Sequence, residues 1–319
     1  MNRTLRIGTR GSELALWQAH HVASLLTRLD GAAGNLSVQI VEIRTEGDHV
    51  LDRPLSEVPG KAFFTKEIEE ALAAGHVDLA VHSLKDLPTE LPPGLALAAV
   101  LEREDPRDVW IAAGGVEGRG FTALPAGGRV GTSSLRRRAL LARYRPDLEL
   151  ADLRGNVPTR VRRVEEGKYD AIVLAAAGVK RLGLERHITE YLPLDRFLPA
   201  VAQGAVAVEI RSRDEATRDW VRRLDHPPTH LATAAERALL ATLEGGCQVP
   251  VGALATLAGE ELRLTAEVVA VDGSRFVSGR KSGPASRPEE LGRALAAELV
   301  AGGAAEILAQ IRRAGDAKP

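Results

Sequence analysis

Cys247 stands in the stretch EGGCQVPVG, Glu244 to Gly252, and is the one cysteine among 319 residues. Gly245 and Gly246 let the backbone curl and approach a ligand closely, and Pro250 stiffens the far side. Lone cysteines are often buried and inert, but a glycine loop is a poor core position. The thiol there suits a nucleophile or an attachment point, and the sequence alone places none of the eight histidines beside it. Asp86 is the second residue with chemistry to offer. It follows Lys85 just after the apolar run Val77–His82, where a carboxylate can move protons or stabilise a developing cation. Hydroxyls and cations gather at other strand ends: Thr9, Arg10 and Ser12; Thr132, Ser133, Ser134, Arg136 and Arg137; Arg154, Asn156 and Arg160. Helix N-termini present free N–H donors there, and arginine forks grip carboxylates in bidentate fashion. The chemistry this implies is binding of a ligand with several acidic groups.

Each of these residues also has a plainer reading. Ser12 and Thr132 serve equally as helix caps, Arg154 and Arg160 as surface ion pairs, His82 as a strand-end histidine, and Phe63 and Phe64 as core. Successive residues of a helix turn by about 100°, so Arg136, Arg137 and Arg138 cannot share one face, and Arg138 is expected in solvent. The functional reading rests on so many polar groups falling at strand ends together.

The elements that must position them alternate between strand and helix. Leu5–Gly8 reads as a strand, with Ser12 capping a helix over Glu13–Leu29. Leu36–Arg44 reads as a strand, Phe64–Ala74 as a helix stopped by Gly75, and Val77–His82 as a buried strand. The order argues a mainly parallel α/β sheet. Arg129-Val130-Gly131-Thr132 then echoes Arg6-Ile7-Gly8-Thr9, with a helix again expected over Ser134–Tyr144. Gly167–Val173 echoes Gly75–Val81. Two words repeated in the same order favour two related α/β domains, whose cleft would hold the ligand at the strands' carboxyl ends. After Ala205–Ile210 and a helix near Glu215–Leu224, His226-Pro227-Pro228 marks a linker. Beyond it lie a helix over Leu231–Leu243, strands over Leu262–Val271 and Phe276–Gly279, and a helical region over Pro288–Arg313. These form a smaller α+β domain.

Composition excludes other classes. Lys and Arg number 42 against 43 Asp and Glu, so no global field draws the chain to nucleic acid or to an acidic membrane. One cysteine allows no intrachain disulfide and no CxxC motif. HExxH, Walker A and GxGxxG motifs are absent, and no metal-ligand spacing appears. The N-terminus lacks the apolar core of a signal peptide and no run approaches a membrane span, so a cytoplasmic protein is expected.

TRGSELALWQA, VHSLKDLP, EREDPRD, GTSSLRRR, LRGNVPTR, YDAIVLAAAGVKRLG, LPAVAQGAV and LEGGCQVPVG together resemble the signature blocks of the porphobilinogen deaminase (hydroxymethylbilane synthase) family, in order, from about residue 5 to 252. The resemblance implies two periplasmic-binding-protein-like α/β domains with a cleft between them and a smaller C-terminal α+β domain. The division it suggests is 1–102 with 204–224, then 103–203, then 225–319. It implies a transferase of haem biosynthesis that joins four porphobilinogen molecules head to tail with loss of ammonia. It also implies a dipyrromethane cofactor attached to Cys247 through a thioether.

Residue by residue, Asp86 matches the catalytic aspartate. Lys85, Thr132, Ser133, Ser134, Arg136, Arg137, Arg154 and Asn156 match cofactor positions. Arg10, Ser12, Arg160, Arg181 and Gln203 match substrate positions, and Asp48, Lys61 and Phe64 fall in a loop that covers the cleft. A monomer is expected, its product passing to uroporphyrinogen-III synthase. Departures from the family pattern include Pro59, Ala62-Phe63 and Glu57 in that loop, and Ala202 where glycine is common. Two other classes remain open on the residues alone: a carboxylate-binding module without turnover, and a thiol hydrolase.

Overall fold

The repeated words Arg6–Thr9 and Arg129–Thr132 become equivalent strands of two sheets in the computed structural model, which describes residues 3–31, 34–45, 65–114, 120–243 and 249–316. In chain order, the first elements are β1 (Arg3–Thr9), α1 (Glu13–Asp30), β2 (Leu36–Glu42), α2 (Lys66–Ala73), β3 (Leu79–Ser83) and β4 (Leu95–Val100). There follow β5 (Asp108–Ala112), β6 (Arg129–Gly131), α3 (Leu135–Tyr144), β7 (Glu149–Ala151), α4 (Val157–Glu165), β8 (Ala171–Ala175), α5 (Ala176–Arg181) and β9 (Glu190–Tyr191). The chain continues with β10 (Val206–Arg211), α6 (Glu215–Val221), α7 (Pro227–Thr242) and β11 (Val251–Ala258). It ends with β12 (Glu261–Val269), β13 (Phe276–Pro284), α8 (Pro288–Leu299) and α9 (Ala305–Asp316).

One compact unit contains the described residues up to 45, 65–104 and 204–230; the other contains 105–203 and 231–316. The first unit's sheet has the order β2-β1-β3-β10-β4, with β1 parallel to β2 and β3, and β10 antiparallel to β3 and β4. Leu5, Ile7, Val81 and Val208 pack on one face against Val22 and Leu26 of α1. Ile68 and Leu72 of α2 cover the other face over Val77 and Ala80. A sheet covered on both faces needs near-continuous apolar strands, and β3 supplies one.

The second unit repeats this plan as β7-β6-β8-β5-β9, with β6 parallel to β7 and β8, and β5 antiparallel to β8 and β9. The repeat extends to single bonds. Arg6 N donates to the Asp78 carboxylate at 2.9 Å, and Arg129 N donates to Asp170 at 2.7 Å. Trp110, Phe121 and Phe197 pack edge to face in this unit's core. The C-terminal part is an antiparallel β11-β12-β13 meander, against which α8 buries Leu291, Leu295 and Leu299.

In each larger sheet four strands run one way and a single strand, β10 or β5, runs antiparallel to its neighbours, so the mainly parallel expectation holds apart from that strand. The structure corrects three expectations. Pro227 and Pro228 open α7 instead of marking a linker, since proline is tolerated in a helix's first turn where its missing N–H costs nothing. The small sheet has a third strand, β11, which starts beside Pro250. The run Pro288–Ile311 is long and apolar enough, by length and composition, to cross a membrane. Alanines raise its hydropathy; its leucines are buried within the protein, and Gly303 at φ 104° interrupts the helical backbone.

Candidate active site

In the first unit, an open cavity of about 60 Å³ is lined by Arg10, Ser12, Gln18, Thr65, His82, Ser83 and Asp86, among others. Ser12 caps α1 by accepting from Ala15 N at 3.4 Å, so the helix's free N–H groups and positive dipole end face this region. Asp86 lies on a 3₁₀ turn, Leu84–Asp86, that leaves the end of β3. Leu84 N donates to Ala205 O at 3.0 Å and Leu87 N to Leu84 O at 3.3 Å, which fixes the turn's backbone. Buried Gln18 donates to Ser83 Oγ at 2.9 Å and holds the adjoining wall. A half-buried carboxylate, a guanidinium and a helix N-terminus thus share one cavity. That set can seat an acidic ligand and offset positive charge developing on it.

In the second unit, Ser134 caps α3 by accepting from Arg137 N at 3.5 Å, and Ser133 Oγ accepts from Leu153 N at 3.0 Å. These bonds lock the β6–α3 turn to the loop after β7. Arg136 and Arg137 converge on buried Asp108: Arg136 Nη2 donates to Oδ2 at 2.7 Å and Arg137 Nη2 to Oδ1 at 2.8 Å. Gln203 Nε2 donates to Oδ1 at 2.9 Å. Burial alone would push the Asp108 carboxyl up, but the two guanidiniums outweigh it and hold the group well below the usual carboxylate range. Arg136 also donates to Leu198 O at 2.7 Å and Arg137 to Val173 O at 3.0 Å.

Arg154 behaves differently. Its Nε and Nη2 are buried without a hydrogen-bond partner among the described residues, and burial lowers its affinity for its proton. Such a guanidinium is ready for an anion. Asn156 caps α4 by accepting from Thr159 N at 3.0 Å, and Arg160 Nε donates to Gly155 O at 2.7 Å. Arg138 is partly exposed, with Asp152 at 3.3 Å and long contacts to the Thr132 and Leu150 carbonyls. Arg181 ends α5, the helix that follows β8.

The structure therefore brings Arg10, Ser12 and Asp86 to one cavity, and Arg136, Arg137 and Gln203 to one buried carboxylate. Lys85 is half-buried beside Asp86, and Thr132 is buried at the end of β6. Cys247, Asp48, Lys61 and Phe64 lie outside the described residues.

Sequence reasoning missed Asp108, although it ends the block EREDPRD; an acid opening an apolar strand, Asp108–Ala112, was the available signal. It missed Glu209, a single carboxylate in the apolar run AVAVEI. It also missed Glu236 of α7, whose carboxylate accepts from Ala202 N at 2.7 Å and Ala255 N at 2.8 Å.

A family model described as "Porphobilinogen deaminase, dipyromethane cofactor binding domain" matches residues 5–219, and "Porphobilinogen deaminase, C-terminal domain" matches 230–301. The chain belongs to the porphobilinogen deaminase family. The family's porphobilinogen deaminase of Geobacter sulfurreducens is 51% identical over 311 residues, covering 98% of this chain and 95% of that protein. That of Syntrophomonas wolfei is 50% identical over 311 residues (98% and 100%), and that of Roseiflexus castenholzii 52% over 309 (97% and 100%).

The family's reaction condenses four porphobilinogen molecules head to tail, with loss of ammonia, to the linear tetrapyrrole hydroxymethylbilane. Among solved structures, the periplasmic VFT2 domain of Bordetella pertussis BvgS aligns with a TM-score of 0.41 at 13% identity, over 69% of this chain and 86% of that one. The periplasmic aliphatic sulphonate binding protein SsuA of Escherichia coli aligns with a TM-score of 0.40 at 16% identity, over 76% of each.

Proposed function

We propose that this deaminase grows its product on a dipyrromethane cofactor joined to Cys247 through a thioether, with Asp86 as the catalytic carboxylate. The observation that carries the reading is the cavity of the first unit, where Asp86 on its pinned turn shares space with Arg10 and the N-terminus of α1. When bound, the cofactor supplies the free pyrrole α-carbon from which the chain extends. Porphobilinogen brings an acetate and a propionate on every ring, so each added unit needs cationic or N–H partners.

Arg10 and Ser12 receive carboxylates in the first unit, with Lys85 beside them. In the second unit Arg154 has buried N–H groups to give, which fits a carboxylate-bearing cofactor. Thr132, Ser133 and Ser134 lie on the turn before α3, Asn156 caps α4, and Arg160 lies in the first turns of α4. Arg136 has a buried Nε without a hydrogen-bond partner among the described residues to offer, Arg137 adds positive charge beside it, and Arg181 and Gln203 act at the margin. Asp86 accepts hydrogen bonds from pyrrole N–H groups and offsets the positive charge that develops as ammonia departs. Asp48, Lys61 and Phe64 cover the substrate.

In this reading the protein is a cytoplasmic, monomeric transferase of three domains, divided at 1–102 with 204–224, 103–203 and 225–319. Its product is consumed by uroporphyrinogen-III synthase. The test is intact mass. Purified wild-type protein is expected to exceed its sequence mass by two deaminated porphobilinogen units and to give an Ehrlich colour, and Cys247→Ser to show neither. Unmodified wild-type protein with full activity would end the proposal. An acylated cysteine would point instead to a thiol hydrolase.

A further inference from the structure

The face of the first sheet that packs under α2 carries two buried titratable groups among the described residues, opposite buried Glu69 of α2. His82 on β3 and Glu209 on β10 share this face, because Glu209 pairs in register with Ala80, two residues from His82, and Ala80 lies in the cluster under α2. His82 Nε2 is 3.2 Å from Glu209 Oε2, and the two side chains are 4% and 0% exposed. Neither Glu209 oxygen has a geometrically good hydrogen bond among the described residues. Burying a carboxylate and an imidazole together carries a desolvation penalty that only close mutual geometry and further hydrogen bonds offset. His82 also lines the cavity that holds Asp86. With Nε2 turned to Glu209, Nδ1 is the nitrogen assigned below to the cavity side.

We propose that His82, backed by Glu209, takes up the proton lost in each condensation. The inference rests on the reading that the Asp86 cavity is the reaction site. The balance runs as follows. The C–N bond of the substrate's aminomethyl group, protonated as the ammonium, breaks and ammonia leaves with the electron pair. The freed methylene carbon bonds to the α-carbon of the terminal pyrrole of the growing chain. The C–H bond at that carbon then breaks, its electrons restore the ring's aromaticity, and its proton goes to the imidazole of His82. Glu209 offsets the charge the imidazole gains, and solvent reached through the open cavity removes the proton before the next turn.

The other ionisable groups around the pair are few. Glu69 comes from α2, and burial together with Glu209 pushes its carboxyl up, so it competes weakly as an anion. Arg10, Lys85 and Asp86 come from the loops at the ends of β1 and β3. Arg211, farther along β10, is engaged by Asp214 and Asp78.

The experiment compares holoenzymes of wild type, His82→Gln, Glu209→Gln and Asp86→Asn by pH–rate profile, KM, melting temperature and imidazole NMR. His82→Gln is expected to lower kcat roughly 10²-fold or more with KM little changed, and to abolish the acid limb of the profile. Glu209→Gln is expected to keep that limb and move it to lower pH. The ring signal assigned by its loss in His82→Gln should move in step with the limb. If both His82 and Glu209 variants melt lower while the acid limb stays in place, the pair is structural and the proposal is overturned. If Asp86→Asn also turns over normally, the reading of the cavity itself fails; if only Asp86→Asn collapses, His82 alone is wrongly assigned.

Discussion

Arg137 Nη2 lies 2.8 Å from Asp108 Oδ1, with the two side chains 8% and 0% exposed. One buried carboxylate thus holds two guanidiniums on successive residues of α3, while Arg138, the one of the three expected to face outward, is partly exposed. The long side chains reach round the helix to a common partner on β5. Much of what looked like ligand-binding cation is also the electrostatic centre of the second unit.

Asp108→Asn should therefore cost stability before it costs chemistry. It leaves two buried cations with a neutral amide, and breaking such a pair typically costs about 3–5 kcal/mol. Asp108 is held below its unfolded value, so its contribution is complete above the ordinary aspartate range, near pH 4. It is lost only as pH falls further, through the depressed folded value. Urea unfolding of both proteins should show a constant gap from pH 7 down to about 5, and a narrowing gap below about 4. A gap that widened on acidification would contradict the assignment.

Arg154 should behave in the opposite way. Its buried Nε and Nη2 have no hydrogen-bond partner among the described residues, so Arg154→Leu gives up no hydrogen bond from either of them. The variant should melt close to wild type yet fail to load cofactor, because each lost guanidinium–carboxylate pair is worth about 2–5 kcal/mol of binding. Arg138→Leu gives up only contacts of 3.3–3.5 Å near solvent and should load and turn over normally. Intact mass and a melting curve separate the cases. Arg137→Leu should fail on both counts.

Asp86→Asn keeps the shape of the side chain and removes its charge and basicity. The turn that carries it is held by backbone bonds at Leu84 and Leu87, so the substitution should leave the fold intact. Turnover should drop roughly 10²–10⁴-fold, while the mass shift from bound cofactor is retained. More than about a tenth of wild-type activity on that scale would assign the role to another group.

The contrast between these residues shows what the sequence made legible. The Ser12 cap was readable because a cap is a local device, fixed by the three residues after it, whereas the cap expected at Thr132 falls two residues on, at Ser134. The two related sheets were readable because Gly8 and Gly131 recur in the same short word. Asp108, Glu209 and Glu236 were not. Their partners lie between 19 and 127 residues away in sequence, and no spacing rule connects a strand-borne acid to a distant base or backbone N–H. The antiparallel direction of β5 and β10 was hidden for the same reason, since an apolar run does not state which way it pairs.

The last prediction concerns the segment at 202–204, where two residues have positive φ. Ala202 sits at φ 60°, inside the left-handed region that a small side chain can tolerate, and its N–H is held by Glu236. Ala202→Gly relieves about 1–2 kcal/mol of strain. It forfeits a buried methyl worth about 0.8 kcal/mol and some backbone entropy, so stability should change by less than about 1 kcal/mol. Gly204 is a different case. Its φ of 92° lies beyond that region, and an added Cβ would meet the Glu104 carbonyl oxygen at 2.4 Å. That oxygen belongs to the backbone, in a segment held by Glu104 N donating to Gly204 O at 3.2 Å, so it cannot swing aside. Gly204→Ala should cost at least the roughly 1–3 kcal/mol typical of a strained backbone site, seen as a lower urea midpoint with an unchanged slope. An alanine tolerated at 204 as readily as the one at 202 would mean that the backbone there is freer than its geometry states.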